Sequence, residues 1–159
     1  MSENKLETTT PSDLEIKMTR SFDAPRARVW EALTKPELLQ RWLLGPDGWT
    51  MPVCLFDLRP GGTYRYVWRS ESDGREFGMG GVVREVTPPQ QFVATERFDD
   101  SWYPGDALVT NVFTEKEGKT ILTCAVLYNA KETRDSVLAS GMTDGVAVSY
   151  DRLDALLRS

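Results

Sequence analysis

Alternating apolar and polar positions predict that the folded part of the chain begins with a strand, and that two short helices follow. Apolar side chains recur at even spacing in residues 14–22, with polar side chains between them. This pattern is typical of a strand with one buried face. The next apolar positions recur at helical spacing on both sides of Pro36, which restarts the chain. The apolar positions are Leu14, Ile16, Met18 and Phe22 in the strand, and Val29, Trp30, Leu33, Leu38, Leu39, Trp42 and Leu43 in the helices.

Six further strands are predicted between residues 49 and 128, separated by residues that are typical of turns. The alternation is clearest in residues 63–70, where Tyr64, Tyr66 and Trp68 fall on one face. The sequence Ser72-Asp73-Gly74 after this strand is a hairpin turn signal. The predicted strands cover residues 49–58, 63–70, 75–86, 91–98, 106–115 and 119–128.

The last segment, residues 131–158, is predicted to form one long helix that crosses the sheet. Leu138, Met142, Val146, Leu153 and Leu157 fall on one helical face.

Consecutive strands without alternating helices predict an antiparallel sheet, covered by helices on one side. We therefore expect an α+β fold with six to seven strands. Residues 14–159 are predicted to form one domain, and the polar residues 1–13 a disordered lead-in.

The composition narrows the classes of partner. The net charge is −5 and no block of basic residues occurs, which argues against nucleic acid or an anionic membrane as the main partner. The chain contains no apolar run of membrane-spanning length, and its polar start is unlike a secretory signal. These features predict a cytoplasmic protein without membrane insertion.

The absence of histidine excludes several kinds of catalytic and metal site. Ser-His-Asp and Cys-His catalysis need a histidine, as do histidine-ligated metals. Cys54 and Cys124 are seventy positions apart and match no metal-ligand spacing. We therefore expect two reduced thiols, no metal and no cofactor. Any acid–base chemistry would use Asp, Glu, Lys, Tyr or Cys.

Five segments, in this order, resemble a known family. They are RSFDAPRARVWEALTKPELLQRW, PGGTYRY, GGVVREVTPP, FVATERFD and GMTDGVAVSYDRLDALL. The family comprises homologues of the activator of heat-shock-protein-90 ATPase, within the START-like (SRPBCC, Bet v 1-like) superfamily. The resemblance covers residues 14–157 and implies the helix-grip fold, in which a curved antiparallel sheet wraps around a long C-terminal helix.

The resemblance also implies a cavity for a hydrophobic ligand between the sheet and the helix. The sequence departs from the family in two places. Members often read tryptophan-tryptophan-glycine-proline after the second helix, where this chain has Trp42-Leu43-Leu44-Gly45-Pro46. They also often have a tryptophan where this chain has Val146. Because both positions are expected near the cavity, a relative's ligand cannot be transferred to this chain. The predicted ligand-binding residues are Trp42, Trp49, Tyr64, Tyr66, Trp68, Phe77, Met79, Phe92, Glu96, Met142 and Val146.

Three features of the predicted site have more than one interpretation. Glu96 shares a predicted strand face with Phe92 and either reaches solvent or is a buried carboxylate, with Arg65 and Arg84 as candidate partners. Gly141 and Gly145 indicate either a kink in the helix or a close approach to its backbone. The loop around Trp102 and Tyr103 either closes over the cavity or packs on the protein.

Three functions remain open at this point. Binding of a small apolar molecule is the leading hypothesis, and an enzyme of the cyclase or hydrolase type that uses Glu96 is the second. The third is a co-chaperone-like module whose partner is another protein. The absence of histidine disfavours catalysis, and no catalytic residue is assigned.

Overall fold

The computed structural model describes residues 4–101 and 103–159 and contains one antiparallel sheet with four helices. The eight strands lie in the order β1-β2-β8-β7-β6-β5-β4-β3. The strands are β1 (Glu7–Thr9), β2 (Glu15–Phe22), β3 (Trp49–Phe56), β4 (Thr63–Ser70), β5 (Glu76–Thr87), β6 (Gln91–Phe98), β7 (Ala107–Lys116) and β8 (Lys119–Leu127). The helices are α1 (Arg26–Thr34), α2 (Pro36–Trp42), α3 (Lys131–Ala139) and α4 (Met142–Arg158).

The predicted α+β class and helix-grip arrangement are confirmed, with one more strand than the six to seven expected. The additional strand, β1, lies in the segment predicted to be disordered and pairs with β2, where Thr8 faces Met18. Glu7, Thr8 and Thr9 are all exposed. No alternation of buried and exposed positions could therefore indicate β1 in the sequence.

The C-terminal segment forms two helices, so the prediction of one helix over residues 131–157 is wrong. Helix α3 ends at Ala139 and α4 begins at Met142. Gly141 lies between them with φ of +85°, in the left-handed region, where a side chain costs about 1–2 kcal/mol. Gly145 stays inside α4.

The sheet bends because its strands pair irregularly at two places, one near its centre and one in the edge strand β3. The pairing of β5 with β6 shifts register between Val83 and Glu85, and a similar shift occurs in β3. Such bulges bend a strand and increase its twist. Gly81 allows the backbones of β5 and β6 to approach each other closely here, since a Cβ at this position would clash with the backbone oxygen of Thr95. The sheet can therefore fold around the helices that pack on it.

An ion pair between the buried Arg20 and the exposed Asp151 connects α4 to β2. The Arg20 side chain is only 4% exposed, and its guanidinium donates to the Asp151 carboxylate at 2.9 Å. Asp154 lies 3.8 Å from the same guanidinium. Leu153, between the two acidic residues, is completely buried.

Within the described residues, no helix combines the length and apolarity that a membrane span requires.

Candidate functional site

A cavity of about 410 Å³ lies between the concave face of the sheet and the two C-terminal helices. We call it the sheet–helix cavity. Its walls come from α1 and α2, from the inward faces of strands β2 to β8, and from α3 and α4. Most of the lining is apolar or aromatic, which is the usual character of a small-molecule site.

One wall is the aromatic face of β4. The Tyr64 and Tyr66 ring centroids are 5.1 Å apart, and those of Tyr66 and Trp68 are 5.9 Å apart. The Tyr64 hydroxyl donates to the Thr95 carbonyl at 2.6 Å, and the Trp68 indole N–H donates to the Leu43 carbonyl at 2.7 Å. These two polar ends are therefore satisfied by backbone, and the rings are held in place against the cavity.

Nine of the eleven predicted ligand-binding residues line the cavity. They are Trp42, Tyr64, Tyr66, Trp68, Met79, Phe92, Glu96, Met142 and Val146. Trp42 is oriented by its indole N–H, which donates to the Ala32 carbonyl at 2.8 Å. The structure thus brings these residues together, and their role in binding stays a prediction.

Trp49 and Phe77 do not line the cavity. Phe77 stacks on Trp68 with ring centroids 5.1 Å apart, and Trp49 packs edge-on against Phe77 at 5.3 Å. Phe77 is 41% exposed. These two residues continue the aromatic face of β4 beyond the end of the cavity. Alternation predicts which face a side chain is on, but not how far along the strand the cavity reaches.

Several lining residues are absent from the predicted ligand-binding set, including three tyrosines. Tyr150 is four positions after Val146 on α4, so the helical spacing indicates it. Tyr128 follows β8 directly, and Tyr103 lies in the loop before β7 with its ring centroid 6.0 Å from that of Tyr128. The proposed lid involves Trp102, which lies outside the described residues, so that prediction is untested.

Polar groups from two neighbouring strands also reach the cavity. Asn111 on β7 is paired with Cys124 on β8, and both line the cavity. Alternation in β7 indicates Asn111, because Phe113 and Ala107 are buried on the same face. No group of three Cys, Asp or Glu side chains that could hold a metal occurs in the part of the chain that the structure describes.

Glu96 is a carboxylate inside this apolar surrounding. Burial raises its pKa from the ordinary 4.5 to about 7. Neither candidate arginine reaches it, because Arg65 donates to the Asp99 carboxylate at 2.6 Å and Arg84 is exposed. Among the described residues, no side chain forms an ion pair or hydrogen bond with Glu96. Its side chain is still partly accessible, because it borders the cavity.

The other titratable groups around the cavity stay neutral near pH 7. Burial, with an added contribution from the Glu96 charge, raises the pKa of Tyr103 to about 12 and that of Cys124 to about 12. The same causes raise the pKa values of Tyr64, Tyr66 and Tyr128 above their usual range. These side chains can donate hydrogen bonds, whereas only Glu96 changes its charge near neutrality.

Comparison with known proteins identifies the family. The chain matches the family described as Activator of Hsp90 ATPase homolog 1-like protein over residues 23–158. A crystal structure from Rhodobacter sphaeroides is 35% identical, with a TM-score of 0.91, and the match covers 97% of this chain and 98% of that chain. Protein Ms6760 from Mycobacterium smegmatis is 28% identical, with a TM-score of 0.84 and 96% of each chain covered.

A third similar structure, the AHSA1-like protein from Aeromonas hydrophila, is 17% identical and shows the shared fold alone. Its TM-score is 0.69, and the match covers 88% of this chain and 93% of that chain. No curated protein matches the chain. The family match spans most of the residues that carry the sequence resemblance. The chain therefore belongs to the family of Activator of Hsp90 ATPase homolog 1-like proteins, in the START-like (SRPBCC) superfamily.

Proposed function

We propose that this protein binds a small, mainly apolar molecule in the sheet–helix cavity. The observation that carries the proposal is the cavity itself, whose volume of about 410 Å³ is within the range typical of ligand pockets. Its walls include aromatic rings and methionine side chains. Moving an apolar molecule from water into contact with such walls is favourable, because apolar surface is removed from water. An ordinary packed core would leave few voids larger than one water molecule.

The test fills the cavity from its helical side. Val146 lines the cavity on α4, while Val148, two positions later, is 40% exposed. We expect wild-type protein to bind the neutral dye N-phenyl-1-naphthylamine saturably, with one dye per chain. Val146→Trp should weaken this binding at least tenfold, because the indole occupies the space of the dye.

Val148→Trp is the matched control and should leave dye affinity within threefold of wild type. Thermal unfolding of both variants checks that they fold. If Val146→Trp binds the dye as tightly as wild type does, the sheet–helix cavity is not the binding site. If Val146→Trp is strongly destabilised and dye binding is unchanged, the concavity is already packed and the function lies elsewhere.

A second candidate function, catalysis, has one observation in its favour. Glu96 has a pKa of about 7 inside a cavity, which suits a general base near neutral pH. However, the surrounding tyrosines and Cys124 have raised pKa values and cannot serve as a second base. Glu96 without a paired catalytic group supports ligand recognition better than catalysis.

The co-chaperone-like alternative would use the outer face of the sheet. Leu108 on β7 and Leu127 on β8 are exposed there and stand opposite each other in the strand pairing. Leu55 on β3 and Val82 on β5 are exposed as well. Scattered apolar side chains of this kind are normal on protein surfaces, so the outer face supports a protein partner less strongly than the cavity supports a small ligand.

A further inference from the structure

We propose that the ligand of the sheet–helix cavity is an amphiphilic amine, whose positively charged nitrogen pairs with Glu96 while its apolar body fills the aromatic part of the cavity. This inference rests on the proposed function and names the class of ligand. It is carried by the position of Glu96, by the absence of a partner for its carboxylate among the described residues, and by the rings around it.

Among the described residues that line the cavity, Glu96 is the one whose side chain carries a charge, and that charge is negative. Glu96 lies on β6 opposite Ala107 of β7, and its side chain borders the cavity. Of the described lining residues, none is a lysine or arginine. An anionic ligand such as a fatty acid would place a second negative charge beside Glu96 without a cation to balance it. A cationic ligand instead supplies the partner that the described residues do not.

The rings near Glu96 suit a cation too. The Glu96 charge contributes to the raised pKa values of four tyrosines, which places their side chains near it. They are Tyr64 and Tyr66 on β4, Tyr103 in the loop before β7 and Tyr128 after β8. Phe98, two positions along β6, borders the same space. Aromatic faces attract alkylammonium groups, and cages of such rings recognise them. The carboxylate and the rings therefore favour the same kind of head group.

The titratable groups that face Glu96 predict how binding depends on pH. Besides the four tyrosines, they are Cys124 on β8 and Tyr150 on α4, which lines the same cavity. Asp106, at the start of β7, is exposed and paired with Arg97 at 2.9 Å. All the facing thiol and phenol groups stay protonated at neutral pH because burial raises their pKa values. Glu96 therefore controls the pH response.

Amine binding should strengthen as Glu96 ionises. Below its pKa of about 7, the carboxyl group must release a proton before it can pair with the cation. The affinity should rise roughly tenfold per pH unit well below pH 7 and level off above about pH 8. An alkylamine stays protonated throughout this range, so the dependence would come from the protein.

The experiment compares three probes with the same naphthalene body: 2-naphthylmethylamine, 2-naphthylmethanol and 2-naphthoate. Calorimetric titration at pH 8 should show the amine binding at least tenfold more tightly than the alcohol, and the carboxylate more weakly than the alcohol. Glu96→Gln should remove the preference for the amine, because the glutamine side chain carries no charge. Glu85→Gln, at an exposed position on β5, is the control and should keep the wild-type preference.

The outcomes separate this inference from the proposed function. If the amine binds no more tightly than the alcohol, or if the preference persists in Glu96→Gln, the inference is overturned. Saturable alcohol binding that Val146→Trp removes would then still support the cavity as a ligand site. If none of the three probes nor N-phenyl-1-naphthylamine binds, the proposed function fails and the inference fails with it.

Discussion

Replacing Glu96 by glutamine should stabilise the ligand-free protein at alkaline pH. In the folded chain, burial raises the Glu96 pKa from 4.5 to about 7. Between these two pH values the folded state binds more protons than the unfolded state does, so stability falls as the pH rises through this window. At about 1.4 kcal/mol per pH unit, the loss in wild type reaches about 3 kcal/mol above pH 7.

Glutamine has nearly the same shape and carries no charge, so the variant should lack this loss. Urea unfolding at pH 5, 6, 7 and 8 measures the difference in unfolding free energy between Glu96→Gln and wild type. We expect a difference of less than about 1 kcal/mol at pH 5 that grows to about 2–3 kcal/mol at pH 8. Water in the cavity that Glu96 borders reduces its desolvation, which makes the upper value a limit.

The comparison cancels the other titrating groups. Paired carboxylates such as Asp99 and Asp135 have lowered pKa values, so their contributions are lost only at more acid pH, and equally in both proteins. Glu85→Gln should show no such pH dependence, because Glu85 is exposed. A difference that is constant with pH, or that favours wild type at pH 8, would refute the description of Glu96 as a buried and unpartnered carboxylate.

Two further predictions concern the helices that close the cavity. Arg20→Met should lower the unfolding free energy by about 2 kcal/mol, because it removes the buried guanidinium that pairs with Asp151 and leaves the 18% exposed Asp154 with Arg158 alone. Arg59→Met, at an exposed pair with Asp57, should cost less than about 1 kcal/mol. Urea unfolding measures both changes, and equal costs would contradict the structural role of Arg20. Gly141→Ala should destabilise by about 1 kcal/mol at its positive φ, whereas Gly145→Ala, in open space inside α4, should stabilise by about 0.5–1 kcal/mol. Destabilisation of both to the same extent would contradict the break at Gly141.

The faces of the strands could be predicted because their period of two is a local property. Tyr64, Tyr66 and Trp68 are buried as the alternation in β4 predicts. Glu96 follows the same rule on β6, since Phe92 and Ala94, at even spacing before it, line the cavity with it. The same rule also places Arg65 on the opposite face from Tyr64, so alternation alone was enough to exclude Arg65 as a partner for Glu96.

The break in the C-terminal helix could not be predicted from periodicity, because the apolar stripe continues through it. Leu138, Met142 and Val146 keep a spacing of four across Gly141. A glycine costs a helix only about 1 kcal/mol, which does not decide between a continuous helix and a break. The choice depends on how the segment packs on the sheet. Val137 of α3 joins the core around Ile16, while Leu153 of α4 joins the core around Phe22.

The arrangement around Glu96 is unfavourable for the empty protein and favourable for a ligand-binding site. A carboxylate in an apolar cavity without a partner lowers stability at neutral pH, and a neutral side chain of the same size would avoid the loss. A loss of folding stability at a functional site is a common reason why proteins are less stable than they could be. A cationic ligand would reverse the loss, because it stabilises the ionised form of Glu96. Saturating 2-naphthylmethylamine at pH 8 should therefore raise the melting temperature of wild type more than that of Glu96→Gln. An equal rise in both proteins would mean that the amine binds without using Glu96.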